Sequence, residues 1–312
     1  MKLALVFPGQ GSQAVGMMSG YDAFPVVRDT FAQASIALGE DLWALVDSGP
    51  GETLNQTVNT QPAMLAADIA VYRAWRAAGG GAPAVLAGHS LGEYAALVAA
   101  GALTFADAVP LVRFRAQSMQ DAVPAGVGAM AAVMGLDDAG IADACREAAQ
   151  GQAVEPVNFN APDQIVIAGH REAVERAVAA ARARGAKRAV MLPVSAPFHS
   201  LLMRPAAERL AAYLAKVAFD PPTVPVLHNV DASVALTPDA IRAALAAQAA
   251  SPVRWVETIR VLAAQGVTHI VECGPGKVLT GLTKRIVPDL TALSLHDGEA
   301  IAAAVATTAD GR

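Results

Sequence analysis

A serine held between two glycines, with an apolar run before it and helix formers after it, constrains this chain more than any other feature. Residues 84–87 are apolar and of strand length, and residues 91–100 favour a helix and contain no proline. Between them stands Gly88-His89-Ser90-Leu91-Gly92, a G-x-S-x-G pattern. In a strand–turn–helix context this pattern predicts a nucleophile elbow, which exposes the serine at the end of a strand.

The two glycines permit the tight turn that such an elbow requires. Gly88 and Gly92 remove the Cβ atoms that would collide where strand and helix converge, and Ser90 needs strained backbone angles. The pattern also predicts that the following helix begins at Ser90. Its first N–H groups and its positive dipole end would then face negative charge that forms there.

A nucleophilic serine requires a base, because its hydroxyl is barely ionised at neutral pH. Of the six histidines, two follow predicted strands, where active sites gather in α/β sheets. These two are His199, beside Pro197, and His228, and spacing alone does not separate them. His89 adjoins Ser90 in the turn, so its side chain is expected to diverge from the serine.

Two arginines in the apolar helix predicted over residues 105–122 are candidates for substrate binding. In one interpretation Arg113 and Arg115 lie on a solvated or ion-paired surface. In the other, a guanidinium presents its fork of N–H groups to a carboxylate. The residues alone leave both interpretations open.

Predicted strands and helices alternate along the chain, which indicates an α/β fold. Residues 1–123 and 197–312 are predicted to form a discontinuous catalytic core, similar to an α/β-hydrolase and built on a short parallel sheet. Residues 124–196 follow the order β-α-β-β-α-β, which predicts a ferredoxin-like small subdomain inserted into that core.

Composition excludes several classes of function. A formal charge of -5 and a pI of about 5.7 disfavour nucleic-acid binding. The two cysteines stand far apart, which favours neither a disulfide framework nor a thiolate zinc site and fits a reducing compartment. No apolar run approaches the roughly 20 residues of a membrane span. We therefore expect a cytoplasmic protein without a metal site or a membrane partner.

Two glycine-containing loops resemble phosphate-binding motifs but depart from them. Gly9, Gly11 and Gly16 do not have the spacing of a dinucleotide fingerprint, and the segment before Lys277 lacks the first glycine of a P-loop. The first loop could still donate backbone N–H groups to an anion. These departures argue against a bound nucleotide cofactor.

Five segments together resemble the malonyl-CoA:acyl carrier protein transacylase family. They occur in the family's order and span nearly the whole chain, which makes the combination specific although each segment alone is weak. The segments are Phe7-Pro8-Gly9-Gln10-Gly11-Ser12-Gln13, Gly88-His89-Ser90-Leu91-Gly92-Glu93-Tyr94, Arg115 with Met119-Gln120, Pro197-Phe198-His199-Ser200, and Gly274-Pro275-Gly276-Lys277.

The resemblance implies catalytic roles for five residues, four of which lie in these segments. Ser90 is the nucleophile, and His199 rather than His228 is its base and later its acid. A backbone carbonyl, at the position matched by Gln248, orients the imidazole. The backbone N–H groups of Gln10 and Leu91 form the oxyanion hole.

The resemblance also implies the substrate contacts. Arg115 binds the free carboxylate of the malonyl group, and Leu91 and Phe198 match the malonyl-type pattern. Asn158 and Asn160 match asparagines that help to line the cleft. The expected substrate is malonyl-CoA, with no bound cofactor, and the expected partner is holo acyl carrier protein.

The expected pathway is fatty-acid synthesis, and three alternatives remain. The chain could be a serine hydrolase or thioesterase, a free-standing loading enzyme for polyketide synthesis or malonate decarboxylation, or a carrier-binding module without catalysis. An acidic carrier protein would need a basic patch on this acidic chain. Two clusters are candidates: Arg182, Arg184, Lys187 and Arg188, and Lys277, Lys284 and Arg285.

Overall fold

The computed structural model describes residues 1–309, which form nine strands and thirteen α-helices. The strands are β1 (Leu3–Phe7), β2 (Val85–Gly88), β3 (Gly128–Met134), β4 (Val154–Ala161), β5 (Gln164–His170), β6 (Arg188–Met191), β7 (Val226–Leu227), β8 (His269–Glu272) and β9 (Thr291–Ser294). The helices are α1 (Pro25–Leu38), α2 (Leu42–Ser48), α3 (Gly51–Leu54), α4 (Thr57–Ala77), α5 (Gly92–Ala99), α6 (Phe105–Asp121), α7 (Asp138–Ala149), α8 (Arg171–Ala183), α9 (Arg204–Leu214), α10 (Pro238–Gln248), α11 (Trp255–Ala264), α12 (Val278–Ile286) and α13 (Gly298–Ala309).

The larger part of the molecule is built on a parallel five-stranded sheet in the order β7-β2-β1-β8-β9. All five residues of β1 are buried, as expected for an apolar central strand of a parallel sheet. Phe7 on β1 pairs with Gly88 on β2, so the loops after these two strands emerge side by side. The glycine-rich loop at Pro8 and the predicted elbow therefore share one edge of the sheet.

An antiparallel four-stranded sheet, in the order β4-β5-β3-β6, forms the smaller part. Its elements follow one another as β-α-β-β-α-β, the order that the sequence predicts. Helices α7 and α8 cover one face, where Ile141, Ile165 and Val174 are buried together. Met130 and Val166, on the opposite face, join the core of the larger part. The prediction of an α/β protein with a parallel sheet is confirmed, and its second sheet is antiparallel.

Several helix boundaries differ from the predicted ones. A single interrupted helix over residues 21–46 is predicted, but α1 and α2 are separate because Gly39 ends α1 in the left-handed conformation, with φ of 69°. The sequence predicts a helix that starts at Gln61, with Pro62 in its first turn, but α4 begins about one turn earlier, at Thr57. Helix α5 begins at Gly92 rather than at Ser90, because Ser90 itself has left-handed backbone angles that no α-helix contains.

Three C-terminal elements, α12, β9 and α13, follow β8. Strand β9 completes the parallel sheet by pairing with β8. Across residues 1–309, none of the helices is both long and apolar enough to cross a membrane. In the same part of the chain, no three His, Cys, Asp or Glu side chains are grouped to hold a metal ion.

Candidate active site

The turn after β2 has the geometry of a nucleophile elbow. Ser90 has a φ of 52°, a conformation that L residues rarely adopt and that is frequent at functional sites. A Cβ atom on Gly88 would lie 1.9 Å from the carbonyl carbon of Gly92, and one on Gly92 would lie 2.1 Å from the Phe7 carbonyl oxygen. Both positions therefore require glycine, as the sequence pattern indicates.

Asn229, which follows β7, holds this turn from the neighbouring strand. The backbone N–H of Ser90 donates to Asn229 Oδ1 at 2.6 Å, and Asn229 Nδ2 donates to the Gly88 carbonyl at 2.6 Å. Sequence reasoning did not single out Asn229, although it stands next to His228 at a strand end. Its amide replaces the hydrogen bonds that a regular strand or helix would supply to the elbow.

Ser90 and His199 form a hydrogen-bonded pair. The Ser90 hydroxyl donates to His199 Nε2 at 2.7 Å, and His199 Nδ1 donates to the Gln248 carbonyl at 2.9 Å. Because a carbonyl can only accept, it fixes the proton on Nδ1 and leaves the lone pair of Nε2 facing the serine. His199 also has a positive φ, of 65°. Burial, and then the charge of Arg115, lowers the pKa of His199 to about 3, so the imidazole is the neutral form that accepts a proton.

The structure separates the two histidines that spacing left open. His228 is buried away from the Ser90 hydroxyl, and its Nδ1 donates to Glu93 Oε1 at 2.7 Å. Burial alone would lower the pKa of His228, but the charge of Glu93 and its hydrogen bond outweigh burial and raise it. Glu93 also accepts from the Asn229 backbone N–H and from Gln248 Nε2. This buried pair therefore supports the floor of the site and does not supply its base.

Arg115 presents a buried guanidinium group to the nucleophile. Its Nη2 donates to Ser90 Oγ at 3.2 Å and to Gln248 Oε1 at 2.9 Å, and its Nη1 donates to Gln61 Oε1 at 2.6 Å. These partners are all uncharged, and its Nε has no partner among the described residues. Burial lowers the pKa of Arg115, a sign that its positive charge is poorly solvated. Glu93 acts on this charge only from a distance, so a carboxylate beside Ser90 would supply the counter-charge in direct contact that Arg115 lacks.

Arg113, by contrast, is an ion-paired residue on the protein surface. It lies on the outer face of the same helix and forms a bidentate ion pair with Glu40, in which Nη1 donates to Oε1 at 3.0 Å and Nη2 donates to Oε2 at 2.8 Å. The two arginines, two positions apart on α6, thus face opposite environments.

The predicted oxyanion donors lie beside Ser90. Gln10 and Leu91 both line the cleft with the serine. Within residues 1–309 their backbone N–H groups have no protein acceptor, so both can donate to a bound group. Leu91 stands at the N-cap of α5, where helix N–H groups are free and the dipole is positive. The register of β1 against β2 brings the Gln10 loop next to it.

A cleft of about 650 Å³ runs between the two sheets and contains these groups. The smaller part contributes mainly apolar side chains to the lining, namely Met130, Leu192, Pro193 and Val194. Phe198 and Met119 of the larger part extend this apolar surface. Such a surface can hold the chain of an acyl group and limit access of water to the serine.

The structure places the two predicted asparagines differently. Asn158 lines the cleft, and its Oδ1 is buried without a partner among the described residues. Asn160 is not among the residues that line the cleft, and its contact with substrate stays a prediction. Its Oδ1 instead accepts from His89 Nε2 at 2.8 Å. Irregular pairing of β4 separates the two environments, and the His89 side chain diverges from Ser90 as expected.

A serine–histidine pair and a buried guanidinium at the edge of a parallel sheet define a class of acyl-transferring proteins. Residues 4–301 match the acyl transferase domain family, and the chain therefore belongs to that family.

Individual relatives narrow the family further. The malonyl CoA-acyl carrier protein transacylase of Escherichia coli K12 is 61% identical over 305 residues, which are 97% of this chain and 99% of the relative. The solved structure of the malonyl CoA-acyl carrier protein transacylase from Coxiella burnetii has a TM-score of 0.97 and 53% identity, covering 98% of this chain and 97% of that one. A malonyl-transacylase solved in complex with a type II PKS acyl-carrier protein has the same TM-score, 54% identity and coverage of 98% and 100%.

Proposed function

We infer that this chain transfers the malonyl group of malonyl-CoA to the phosphopantetheine thiol of holo acyl carrier protein. It is an acyltransferase that works through a malonyl ester on Ser90. The reaction needs no bound cofactor, because the substrate is already an activated thioester. The hydrogen bonds of Ser90, His199 and Arg115 supply the groups that each step requires.

In the first half-reaction, His199 Nε2 takes the proton from the Ser90 hydroxyl as Oγ attacks the thioester carbonyl carbon. The carbonyl oxygen becomes an oxyanion, which accepts hydrogen bonds from the backbone N–H groups of Gln10 and Leu91. Each donor of this kind is typically worth roughly 2.7–4 kcal/mol in the transition state. The carbon–sulfur bond then breaks, and His199 gives its proton to the departing CoA sulfur.

In the second half-reaction, the same groups act in reverse. His199 takes the proton of the carrier thiol, and its sulfur attacks the ester carbonyl of malonyl-Ser90. The oxyanion forms at the same two N–H groups. Collapse breaks the carbon–oxygen bond, and His199 returns the proton to Ser90 Oγ.

The observation that carries this proposal is the buried guanidinium of Arg115 beside the nucleophile, with uncharged partners only. An acyl group with a terminal carboxylate can pair with it, whereas an acetyl group would leave the charge buried and unpaired. A serine hydrolase of neutral esters has no use for such a group. The geometry therefore favours the malonyl transferase over the hydrolase or thioesterase.

A mass measurement tests the proposal directly. The protein is incubated with malonyl-CoA alone, and its intact mass is recorded before and after addition of holo acyl carrier protein. We expect a malonyl adduct that maps to Ser90 and that the carrier protein discharges. The Ser90→Ala variant is the control and should stay unmodified. An unmodified wild-type protein would refute the mechanism.

Three finer proposals accompany this function. We propose that residues 1–123 and 197–312 form one discontinuous catalytic domain with an α/β-hydrolase-like elbow, and that residues 124–196 form a ferredoxin-like insert. The two buried free thiols, Cys145 and Cys273, support a location in the reducing cytoplasm. We further propose that the malonyl group supplies fatty-acid synthesis. The second candidate is loading of malonyl groups for polyketide synthesis, because one relative was solved in complex with a type II PKS acyl-carrier protein.

A further inference from the structure

Arg115 is the centre of a hydrogen-bond network with two arms, and only one of them serves the mechanism above. The first arm reaches the base, because Arg115 binds the side chain of Gln248 and the backbone carbonyl of Gln248 binds His199. The second arm runs from Arg115 through Gln61 and Thr57 to Gln10. It ends on the loop that carries one of the two oxyanion donors.

The second arm consists of three hydrogen bonds in series. Arg115 Nη1 donates to Gln61 Oε1 at 2.6 Å, Gln61 Nε2 donates to Thr57 Oγ1 at 3.1 Å, and Thr57 Oγ1 donates to Gln10 Oε1 at 2.9 Å. The residues come from α6, α4 and the loop after β1. We refer to this chain of bonds as the Thr57 relay.

The guanidinium sets the direction of every bond in the relay. Arginine can only donate, so the Gln61 amide must turn its oxygen toward Arg115 and its nitrogen toward Thr57. The Thr57 hydroxyl has one proton and already accepts from Gln61, so that proton points to Gln10 Oε1. The Gln10 side chain is thereby held in one amide orientation by a charge three residues away along the relay.

Because the middle of the relay is buried, its polar groups cannot exchange their partners for water. Thr57 and Gln61 are each only 1% exposed, so loss of one partner leaves another polar group buried and unsatisfied. Gln10 is exposed at the other end, in a glycine-rich loop where Gly11 has a φ of 109°. Such a loop has considerable conformational freedom of its own. The Thr57 hydroxyl ties it to the rigid helix α4.

We propose that Thr57 is a positioning residue, which holds the Gln10 loop so that the Gln10 backbone N–H meets the oxyanion. This proposal rests on the proposed function and adds a residue that does not touch substrate. Because the oxyanion exists only in the transition state, losing the tie should slow acylation and leave binding of malonyl-CoA nearly unchanged.

The test is the acylation half-reaction, followed by quenched-flow and intact mass with malonyl-CoA as the only substrate. It gives a maximal rate constant and a half-saturating concentration for each variant. Thr57→Val removes the hydroxyl at nearly constant shape. We expect the rate constant to fall about tenfold, a fraction of the loss of a whole oxyanion donor, with half-saturation within about twofold. Thr57→Ser keeps the hydroxyl and should restore the rate.

Thr60→Val is the matched control, on the same helix and equally buried. The Thr60 hydroxyl donates to the carbonyls of Leu54 and Gln56 and takes no part in the relay. This variant should acylate at the wild-type rate, with a thermal stability comparable to that of Thr57→Val. Gln10→Met removes the acceptor but keeps the backbone N–H, and it should slow acylation by a similar factor. The Thr57→Val/Gln10→Met double variant should acylate no more slowly than the slower of the two single variants.

Three results would refute the positioning role of Thr57. They are a Thr57→Val acylation rate constant within about twofold of wild type, a raised half-saturating concentration with an unchanged rate constant, and a Thr57→Ser variant as slow as Thr57→Val. Each of these requires an active wild-type protein. Failure of the wild type to form malonyl-Ser90 would instead refute the proposed function itself, so the two failures are distinguishable.

Discussion

The two parts of the molecule that meet at the cleft contribute different kinds of surface. The part built on the parallel sheet supplies the polar groups, Ser90, His199 and Arg115, each held by two or more hydrogen bonds or by burial. The antiparallel part supplies apolar side chains such as Met130 and Leu192. Hydrogen bonds require defined angles and partners, whereas apolar contact requires mainly volume. Changes in the first part should therefore be far costlier than changes in the second.

The largest expected effect comes from Arg115→Met. Without the guanidinium, the malonyl carboxylate loses its counter-charge, and kcat/KM for malonyl-CoA should fall about 10³-fold, as for breaking a buried ion pair. Hydrolysis of p-nitrophenyl acetate, which has no carboxylate, should fall only about tenfold, the loss expected when the Thr57 relay is released. Steady-state kinetics with both substrates measure this.

Arg113→Met is the control for that prediction, since Arg113 lies on the same helix as Arg115 but forms a surface ion pair with Glu40. Its malonyl kinetics should remain within about twofold of wild type. Equal losses for malonyl-CoA and p-nitrophenyl acetate in Arg115→Met would contradict the role of Arg115 as a carboxylate clamp.

The second effect is a pH profile. The pKa of His199 is lowered to about 3 by burial and then by Arg115, so the neutral base persists as pH falls and is lost only near that value. An imidazole with an ordinary pKa of about 6.5 would be roughly thirtyfold less active at pH 5 than its maximum. We expect kcat/KM for p-nitrophenyl acetate at pH 5 to lie within about threefold of its value at pH 7. An acid limb near 6.5 would show that His199 is not shielded in this way.

The third effect concerns carrier-protein docking at the two basic clusters. Arg184 is paired with Glu147, and Arg285 contacts Asp163, so part of each cluster is already engaged. Reversing charge at Lys187 and Arg188, or at Lys277 and Lys284, should raise KM for carrier protein about tenfold in the cluster that docks it. Acylation by malonyl-CoA alone should not change. If neither pair alters carrier kinetics, docking does not use these clusters.

The smallest effect is expected from Met130→Leu, in the apolar lining of the antiparallel part. The substitution conserves volume, so acylation by malonyl-CoA should change by less than about twofold. Thermal stability should fall only slightly, as followed by circular dichroism. If acylation by Met130→Leu fell nearly as far as that of Arg115→Met, the two parts would not differ in their tolerance of substitution.

Much of the fold followed from patterns in the sequence. The apolar strands of the parallel sheet, the elbow and the β-α-β-β-α-β order were predicted, because each depends on residues close together in the chain. The start of α5 and the separation of α1 from α2 were not, since left-handed angles at Ser90 and Gly39 decide them. The hydrogen bond between Asn160 and His89 was not predicted either, because the two residues are 71 positions apart in the chain.

The sequence specifies the elbow, because steric fit at Gly88 and Gly92 is a local property of a short segment. From residues alone it left His199 and His228 equal, and the family resemblance selected His199. The packing of the fold determines which arginine is buried. It also brings Arg115 to Gln61, 54 residues away, and Gln248 to Ser90, 158 residues away. Such contacts depend on how distant segments pack, and no spacing along the chain encodes them.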